Sequence, residues 1–207
     1  MIDSIINEID KALKVLTVSP YPQRSRPDIN LKKSDTLTPQ EKKNHSKYMR
    51  VNHSGEICAQ ALYRGQLFFN KNKKIEEKLE EAATEELDHL AWCQSRIKEL
   101  GGRTSVLNPF LYLGSFAVGS IASIIDEKYN LGFLSETEKQ VSSHLENHLN
   151  IISPRDKRTI AIIKQMKKDE ESHEASAKLM GAKELPSFIQ KTMKFTSKIM
   201  TASTYKI

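Results

Sequence analysis

Two short motifs of one kind, Glu86–His89 (Glu-Leu-Asp-His) and Glu170–His173 (Glu-Glu-Ser-His), each place a glutamate three residues before a histidine. On a helix, residues i and i+3 lie on the same face, so each motif would present a carboxylate and an imidazole side by side. Such a pair can bind a divalent cation. Glu-x-x-His alone is a weak signal, because short patterns of common residues arise by chance.

The surroundings of the two motifs strengthen the signal. Each motif lies in the middle of an apolar helical stripe, formed by Ile75, Leu79, Ala82, Cys93, Ile97 and Leu100 in the first case and by Ile163, Met166 and Ala177 in the second. Glu56 and Glu138 occupy the same position in two further apolar stripes and precede the motifs by similar separations. The pattern therefore predicts four helices that each direct one glutamate into a shared interior.

Four buried carboxylates would repel one another and would be costly to bury without a compensating charge. Two divalent cations would balance four carboxylates, and one glutamate from each of two helices with Glu-x-x-His from the other two is the ligand set of ferritin-like dimetal bundles. Oxygen-rich ligation with one imidazole per metal favours iron or manganese over structural zinc. The alternative is a pair of ordinary core histidines with solvated glutamates.

Signals of helix ends divide the chain into the elements that would position these residues. Thr38-Pro39-Gln40-Glu41 is typical of a capped helix start, and Gly101-Gly102, Ser153-Pro154 and Gly181 are typical of helix ends. The long helices are predicted at about 38–70, 73–100, 135–152 and 155–180. The fold class is therefore all-α, a ferritin-like four-helix bundle.

We expect three parts along the chain: an N-terminal amphipathic helix with a proline-containing linker (1–37), the dimetal bundle (38–181) and a tail (182–207). Residues 104–125 carry no charged side chain. An in-plane membrane helix and a buried crossover are weighted equally there, and a transmembrane helix is disfavoured because glycine and serine dilute the stretch. The tail has no acidic residue after Glu184, and Lys191, Lys194 and Lys198 share one helical face.

A basic amphipathic tail favours a membrane surface over nucleic acid, with packing on its own domain as the alternative. The chain of 207 residues has 38% hydrophobic and 28% charged residues and a net charge of +6, as soluble helical proteins do. Its two cysteines exclude a disulfide framework and a four-cysteine zinc site. No targeting signal and no Gly-x-Gly-x-x-Gly nucleotide motif is recognised.

The remaining histidines and cysteines carry weaker expectations. His53 borders the stripe of the first bundle helix, and His144 and His148 lie one turn apart at the edge of the third. A role beside the metals or the substrate and an ordinary core or surface role are both open for them. Cys58 is expected to point away from the site, and Cys93 to act as a small buried hydrophobe.

Several motifs together resemble the demethoxyubiquinone hydroxylases of ubiquinone biosynthesis, in their bacterial branch. They are Arg50–Glu56 with Ala59–Gln66, Glu85–Cys93, Glu99–Arg103, Asn108-Pro109 with Gly114–Ala117, Glu136–Glu138 and Asp169–His173. The resemblance extends from about Tyr48 to the C-terminus and is specific as a set. Ser54 stands where alanine is expected, a small residue for a small residue.

The resemblance implies a membrane-facing apolar crossover, a peripheral position on the cytoplasmic side of the inner membrane, and two iron ions per chain, with manganese as a substitute. The implied ligands are Glu56, Glu86, His89, Glu138, Glu170 and His173, with Glu86 and Glu170 as the bridging pair. The implied reaction is O₂-dependent hydroxylation of a polyprenyl demethoxyubiquinol ring, without a separate general base. Because no nucleotide motif is present, electrons are expected from a partner protein or from the reduced quinol itself. A quinone-synthesis complex is a further possible partner, and no nucleic acid is expected.

Two other functions remain open. A ferritin-like ferroxidase or peroxide scavenger would share the six ligands but would not need the lipophilic segment at 104–125. A membrane-bound helical scaffold that binds quinone or lipid would carry no stoichiometric iron.

Overall fold

The computed structural model describes residues 2–31 and 37–207, and this part of the chain folds into seven α-helices without a strand. They are α1 (Ile2–Thr17), α2 (Pro39–Phe69), α3 (Lys73–Glu99), α4 (Asn108–Ile125), α5 (Glu127–Ile151), α6 (Lys157–Leu179) and α7 (Ser187–Lys206). Met1 and residues 32–36, parts of the predicted N-terminal helix and linker, lie outside the described residues. The predicted all-α bundle is confirmed.

The helix boundaries follow from local capping. The Thr38 hydroxyl accepts from Glu41 N–H and the Glu41 carboxylate accepts from Thr38 N–H, a complete capping box at the start of α2. Gly101 (φ 76°) ends α3 and Gly181 (φ 94°) follows α6, both in the left-handed region that glycine tolerates.

One predicted boundary is wrong. The third bundle helix, α5, begins at Glu127 and not near residue 135, because the Asp126 side chain accepts from the N–H groups of Lys128 and Tyr129 and so caps an earlier first turn. The added turns contribute Leu131 and Leu134 to the core.

The bundle consists of two helix hairpins, α2–α3 and α5–α6, that face each other. Two apolar clusters fill the interior between the four helices, and every bundle helix contributes to both; a third cluster packs α2 and α3 against α4. One cluster includes Met49, Trp92, Cys93, Ile97, Leu145, Ile163 and Met166. The other includes Tyr63, Ile75, Leu79, Ala82, Leu131, Leu134 and Ala177. On each helix, the glutamate singled out by the sequence lies between its residues of the two clusters.

Helix α4 packs closely on α2 through glycines. A methyl group added at Gly65 would collide with the backbone of Phe116 and Ser120, and one added at Gly119 would collide with the backbone of Leu62. Only glycine therefore permits this backbone approach.

The opposite side of α4 remains exposed. Phe110, Leu113 and Ile121 are 77%, 69% and 60% exposed, so the alternative of a buried crossover is wrong. By length and composition, Asn108–Ile125 is the one described helix that could cross a membrane, and this is weak evidence for a span.

Candidate metal centre

The structure brings all six predicted ligands together in the polar layer between the two apolar clusters. They are Glu56 on α2, Glu86 and His89 on α3, Glu138 on α5, and Glu170 and His173 on α6. The four carboxylates and His89 are at most 2% exposed, and the His173 side chain is 10% exposed. The convergence follows from the periodicity, because the Glu-x-x-His spacing keeps both side chains of a motif on the buried face of their helix.

Their ligand atoms form two overlapping groups. In each group, one atom from every residue lies within 4.8 Å of the others. The first group is Glu56, Glu86, His89 and Glu170, and the second is Glu86, Glu138, Glu170 and His173. Glu86 and Glu170 belong to both groups, as two carboxylates shared between neighbouring cations would.

Both histidines turn the same ring nitrogen toward the carboxylates. Nδ1 of His89 lies 3.1 Å from Glu86 Oε2 and 3.4 Å from Glu170 Oε1. Nδ1 of His173 lies 3.6 Å from an oxygen of Glu86 and 3.6 Å from one of Glu170. Nδ1 is therefore the nitrogen that each imidazole offers to a cation.

Two further carboxylates fix the histidine rings from outside, and the sequence analysis missed both. Nε2 of His89 lies 2.9 Å from Asp169 Oδ2, and Nε2 of His173 lies 3.0 Å from Glu85 Oε2. Each imidazole can donate through Nε2 to the acidic residue that precedes the other motif's glutamate, which leaves Nδ1 free for a metal. The available signal was an acidic residue directly before the glutamate of both motifs.

Tyr63 is a third missed neighbour of the cluster. Its hydroxyl donates to Glu138 Oε1 in the buried interior. Nothing in the sequence distinguishes this hydroxyl from that of an ordinary core tyrosine.

Without a metal ion, several carboxyl and imidazole groups of the cluster have pKa values far from their usual ones. Burial, together with the charge of Glu86, raises the pKa of Glu56 well above its usual value, and burial with the charge of Glu170 raises the pKa of Glu138. Although burial opposes it, the nearby carboxylates of Glu170 and Glu85 raise the pKa of His173 to about 11. The interior thus retains protons that two cations could replace.

The donor set fits a pair of divalent cations. Glu86 Oε1, both carboxylate oxygens of Glu170 and His173 Nδ1 are buried and have no hydrogen-bond partner among the described residues. Unpartnered charged oxygens are costly in a protein interior, and metal coordination would satisfy them. Carboxylate oxygens with one imidazole per cation suit iron or manganese.

The other residues noted in the sequence do not belong to either of the two ligand groups. Asn108 of α4 contacts both His53 and the Ser54 hydroxyl, so the serine found in place of alanine ties α2 to α4. The His148 ring contacts the His144 ring edge-on, with centroids 4.1 Å apart, and lies at a tilt to the Tyr48 ring, 5.1 Å away. Cys93 is fully buried, with its thiol 3.7 Å from Met166 Sδ, as expected of a small hydrophobe.

Comparison with known proteins agrees with this architecture. Residues 43–204 match the model of the family described as ubiquinone biosynthesis protein COQ7. The matched region contains the four bundle helices apart from the first turn of α2, and all six residues of the candidate centre.

Curated relatives align over the whole chain. A protein of Chromobacterium violaceum is 46% identical over 207 residues, covering 100% of both chains. One of Legionella pneumophila strain Paris is 48% identical over 209 residues, with 100% of this chain and 97% of the relative covered. One of Bordetella parapertussis is 46% identical over 204 residues, with 99% and 92% covered. Each is named 3-demethoxyubiquinol 3-hydroxylase. With the family match across the bundle, these alignments establish that the chain belongs to the COQ7 family of ubiquinone biosynthesis proteins.

Proposed function

We propose that this chain hydroxylates the demethoxyubiquinol ring in ubiquinone biosynthesis, with two iron ions held by Glu56, Glu86, His89, Glu138, Glu170 and His173. The observation that carries the proposal is the buried convergence of four carboxylates and two imidazoles, in which three carboxylate oxygens and one imidazole nitrogen have no hydrogen-bond partner among the described residues. The names of relatives at 46–48% identity supply the reaction and the substrate class.

An iron pair in this site would supply the activation of O₂ that ring hydroxylation requires. The chain's own residues position and enclose it. Asp169 and Glu85 accept from Nε2 of the two histidines and so hold each Nδ1 toward the interior. The apolar clusters on either side, with Trp92 and Leu134 among them, exclude water from the reacting atoms.

A quinone profile tests the proposed reaction. A bacterial strain without this gene is expected to accumulate demethoxyubiquinol and to lack ubiquinone, and the wild-type chain should restore ubiquinone. Chromatography with mass spectrometry of extracted lipids measures both species. Normal ubiquinone in the deletion strain would contradict the hydroxylase assignment, whereas a ferroxidase would leave the quinones unchanged and alter iron handling.

We also propose that the chain binds the cytoplasmic surface of the inner membrane, where a polyprenyl substrate resides. The exposed side of α4 offers Phe110, Leu113, Ile121, Ile124 and Ile125, each at least 60% exposed. Because α4 packs on α2 along its other side, an in-plane orientation accounts for both faces better than a span.

Helix α7 offers a second, positively charged surface for contact with the membrane. Ile189, Met193 and Met200 are half-buried and turn inward, so α7 also packs on its own domain. Lys191, Lys194 and Lys198 are exposed next to Phe188 and Phe195, an arrangement that suits an anionic lipid surface.

Replacing Lys191, Lys194 and Lys198 with glutamine is expected to weaken binding to vesicles that contain phosphatidylglycerol. At about 1 kcal/mol per lysine near an anionic surface, the loss should be at least tenfold at low salt and should shrink at high salt. Co-sedimentation measures it. The triple glutamine variant of Lys71, Lys73 and Lys74, exposed at the α2–α3 turn, makes the same change of charge and serves as the control. Equal loss in both variants would refute a specific role of α7.

A further inference from the structure

The segment between α1 and α2 lies across α3 next to the candidate metal centre. We call residues 20–31 the N-terminal strap; they precede residues 43–204, which the family model matches. The backbone N–H groups of Gln23 and Arg24 donate to Asp88 Oδ1 at 2.6 and 3.3 Å, and Arg24 Nε donates to Asp88 Oδ2 at 2.7 Å. Asp88 is 2% exposed and directly precedes His89. The strap is thus attached beside a candidate ligand.

A second attachment fixes the strap about two to three helical turns further along α3. The Arg26 guanidinium donates to Ser95 at 2.7 Å and to Glu99 at 2.8 Å, both on α3. Asp28, which pairs with Arg26, accepts from Arg158 Nε of α6 at 2.7 Å and is 1% exposed. The strap is therefore held against both helices that carry a Glu-x-x-His motif.

Arg24 connects these two helices at the level of His89. Its Nη1 lies 2.9 Å from Asp169 Oδ2, the same oxygen that lies 2.9 Å from His89 Nε2. Its guanidinium also lies over the Trp92 ring, 5.0 Å from the centroid. One side chain thereby restrains Asp88 on α3 and Asp169 on α6, the acceptor that orients His89.

This restraint applies to one half of the centre. In the second motif, Ser172 occupies the position of Asp88, so a strap would find no carboxylate there. Glu85, the acceptor of His173, is 34% exposed, whereas the Asp169 side chain is 10% exposed and lies under Arg24. The acceptors of the two imidazoles therefore differ in burial.

We propose that Arg24 is a positioning residue, which holds Asp169 so that His89 presents Nδ1 to the metal ion shared with Glu56. The inference rests on the proposed function, because it requires that the centre binds two metal ions. It assigns a role at the centre to a segment outside the region that the family model matches.

Metal titration of the purified full-length chain tests the role of Arg24. Metal-free wild-type protein, Arg24→Gln and Arg24→Lys are titrated with Co²⁺, and the d–d absorption and heat of binding are followed. Mutation of a residue that orients a metal-bound histidine typically lowers metal affinity about 10- to 100-fold. Arg24→Gln should therefore lower the affinity for one of the two Co²⁺ ions about tenfold. The affinity for the other Co²⁺ ion should stay within about twofold of the wild-type value. Arg24→Lys keeps the charge but lacks the planar guanidinium fork that bonds Asp88 and Asp169 through separate nitrogens, and should show a smaller loss of affinity for the same ion.

Arg155→Gln is the matched control, because Arg155 also pairs with a carboxylate, Glu41 at 2.6 Å, and is 55% exposed. This control should leave both affinities unchanged. Unchanged Co²⁺ binding in Arg24→Gln, or equal weakening of both ions, would overturn the positioning role while leaving the proposed function intact. A wild-type chain that binds fewer than two Co²⁺ ions would overturn both.

Discussion

Glu138→Ala should abolish ubiquinone formation while the bundle remains folded. Glu138 belongs to only one of the two ligand groups, and its loss leaves that cation with three protein ligands and an unbalanced charge. Tyr63 also loses its buried acceptor. Mutation of residues that only contact the metal ligands typically lowers metal affinity or activity about 10- to 100-fold. We therefore expect removal of a ligand itself to lower turnover by about 100-fold or more.

The deletion strain that carries Glu138→Ala should therefore keep the demethoxy intermediate and contain no detectable ubiquinone. Glu146→Ala is the matched control, because Glu146 lies on the same helix with its side chain 52% exposed. Circular dichroism and thermal unfolding of both purified variants verify that α5 is intact. If a folded Glu138→Ala variant restored wild-type ubiquinone levels, Glu138 would not be required for the reaction.

Binding of Fe²⁺ under anaerobic conditions should raise the unfolding temperature of the metal-free protein by about 10 °C. A ligand at a thousandfold excess over its dissociation constant stabilises the folded state by about 4 kcal/mol, and each kcal/mol shifts the transition of a chain of this size by about 2–4 °C. Differential scanning calorimetry measures the shift. Glu138→Gln should reduce it strongly, and a wild-type shift below about 2 °C would contradict a metal centre in the core.

The metal-free protein should have a characteristic pH dependence. In the folded state the pKa of His173 is raised to about 11 from 6.5, so this group stabilises the fold fully below pH 6.5 and progressively less above it. The pKa of His89 is also raised: burial opposes the shift, and the charge of Glu86 and bonding to Asp169 produce it. Stability of the metal-free chain should therefore fall as the pH rises above 6.5, and bound metal should weaken this trend by displacing the protons.

The sequence was sufficient to predict the bundle and the convergence of its ligands because both depend on helical periodicity. Apolar residues around Glu86 and Glu170 define the buried faces, and the i to i+3 spacing adds the histidines without further information. The same reasoning predicted the capping box at Thr38 and the glycine ends at Gly101 and Gly181, since these are local features.

Helical periodicity and local signals do not predict contacts between residues that are far apart in the chain. Nothing local pairs Asp169 with His89 across the bundle, or Glu85 with His173. The strap is a stronger example, because Arg24 reaches Asp88 from 64 residues away and through an irregular segment without periodicity. The predicted start of α5 is wrong for a different reason: the cap residue Asp126 directly follows a long apolar stretch, which is the more conspicuous feature of the sequence.

Anomalous diffraction at the iron edge, from crystals of the chain loaded anaerobically with Fe²⁺, tests the central claim most directly. Two peaks should appear in the polar layer: one among Glu56, Glu86, His89 and Glu170, the other among Glu86, Glu138, Glu170 and His173. A fully loaded crystal with no peak between the four helices, or with iron bound only at surface carboxylates, would contradict the account.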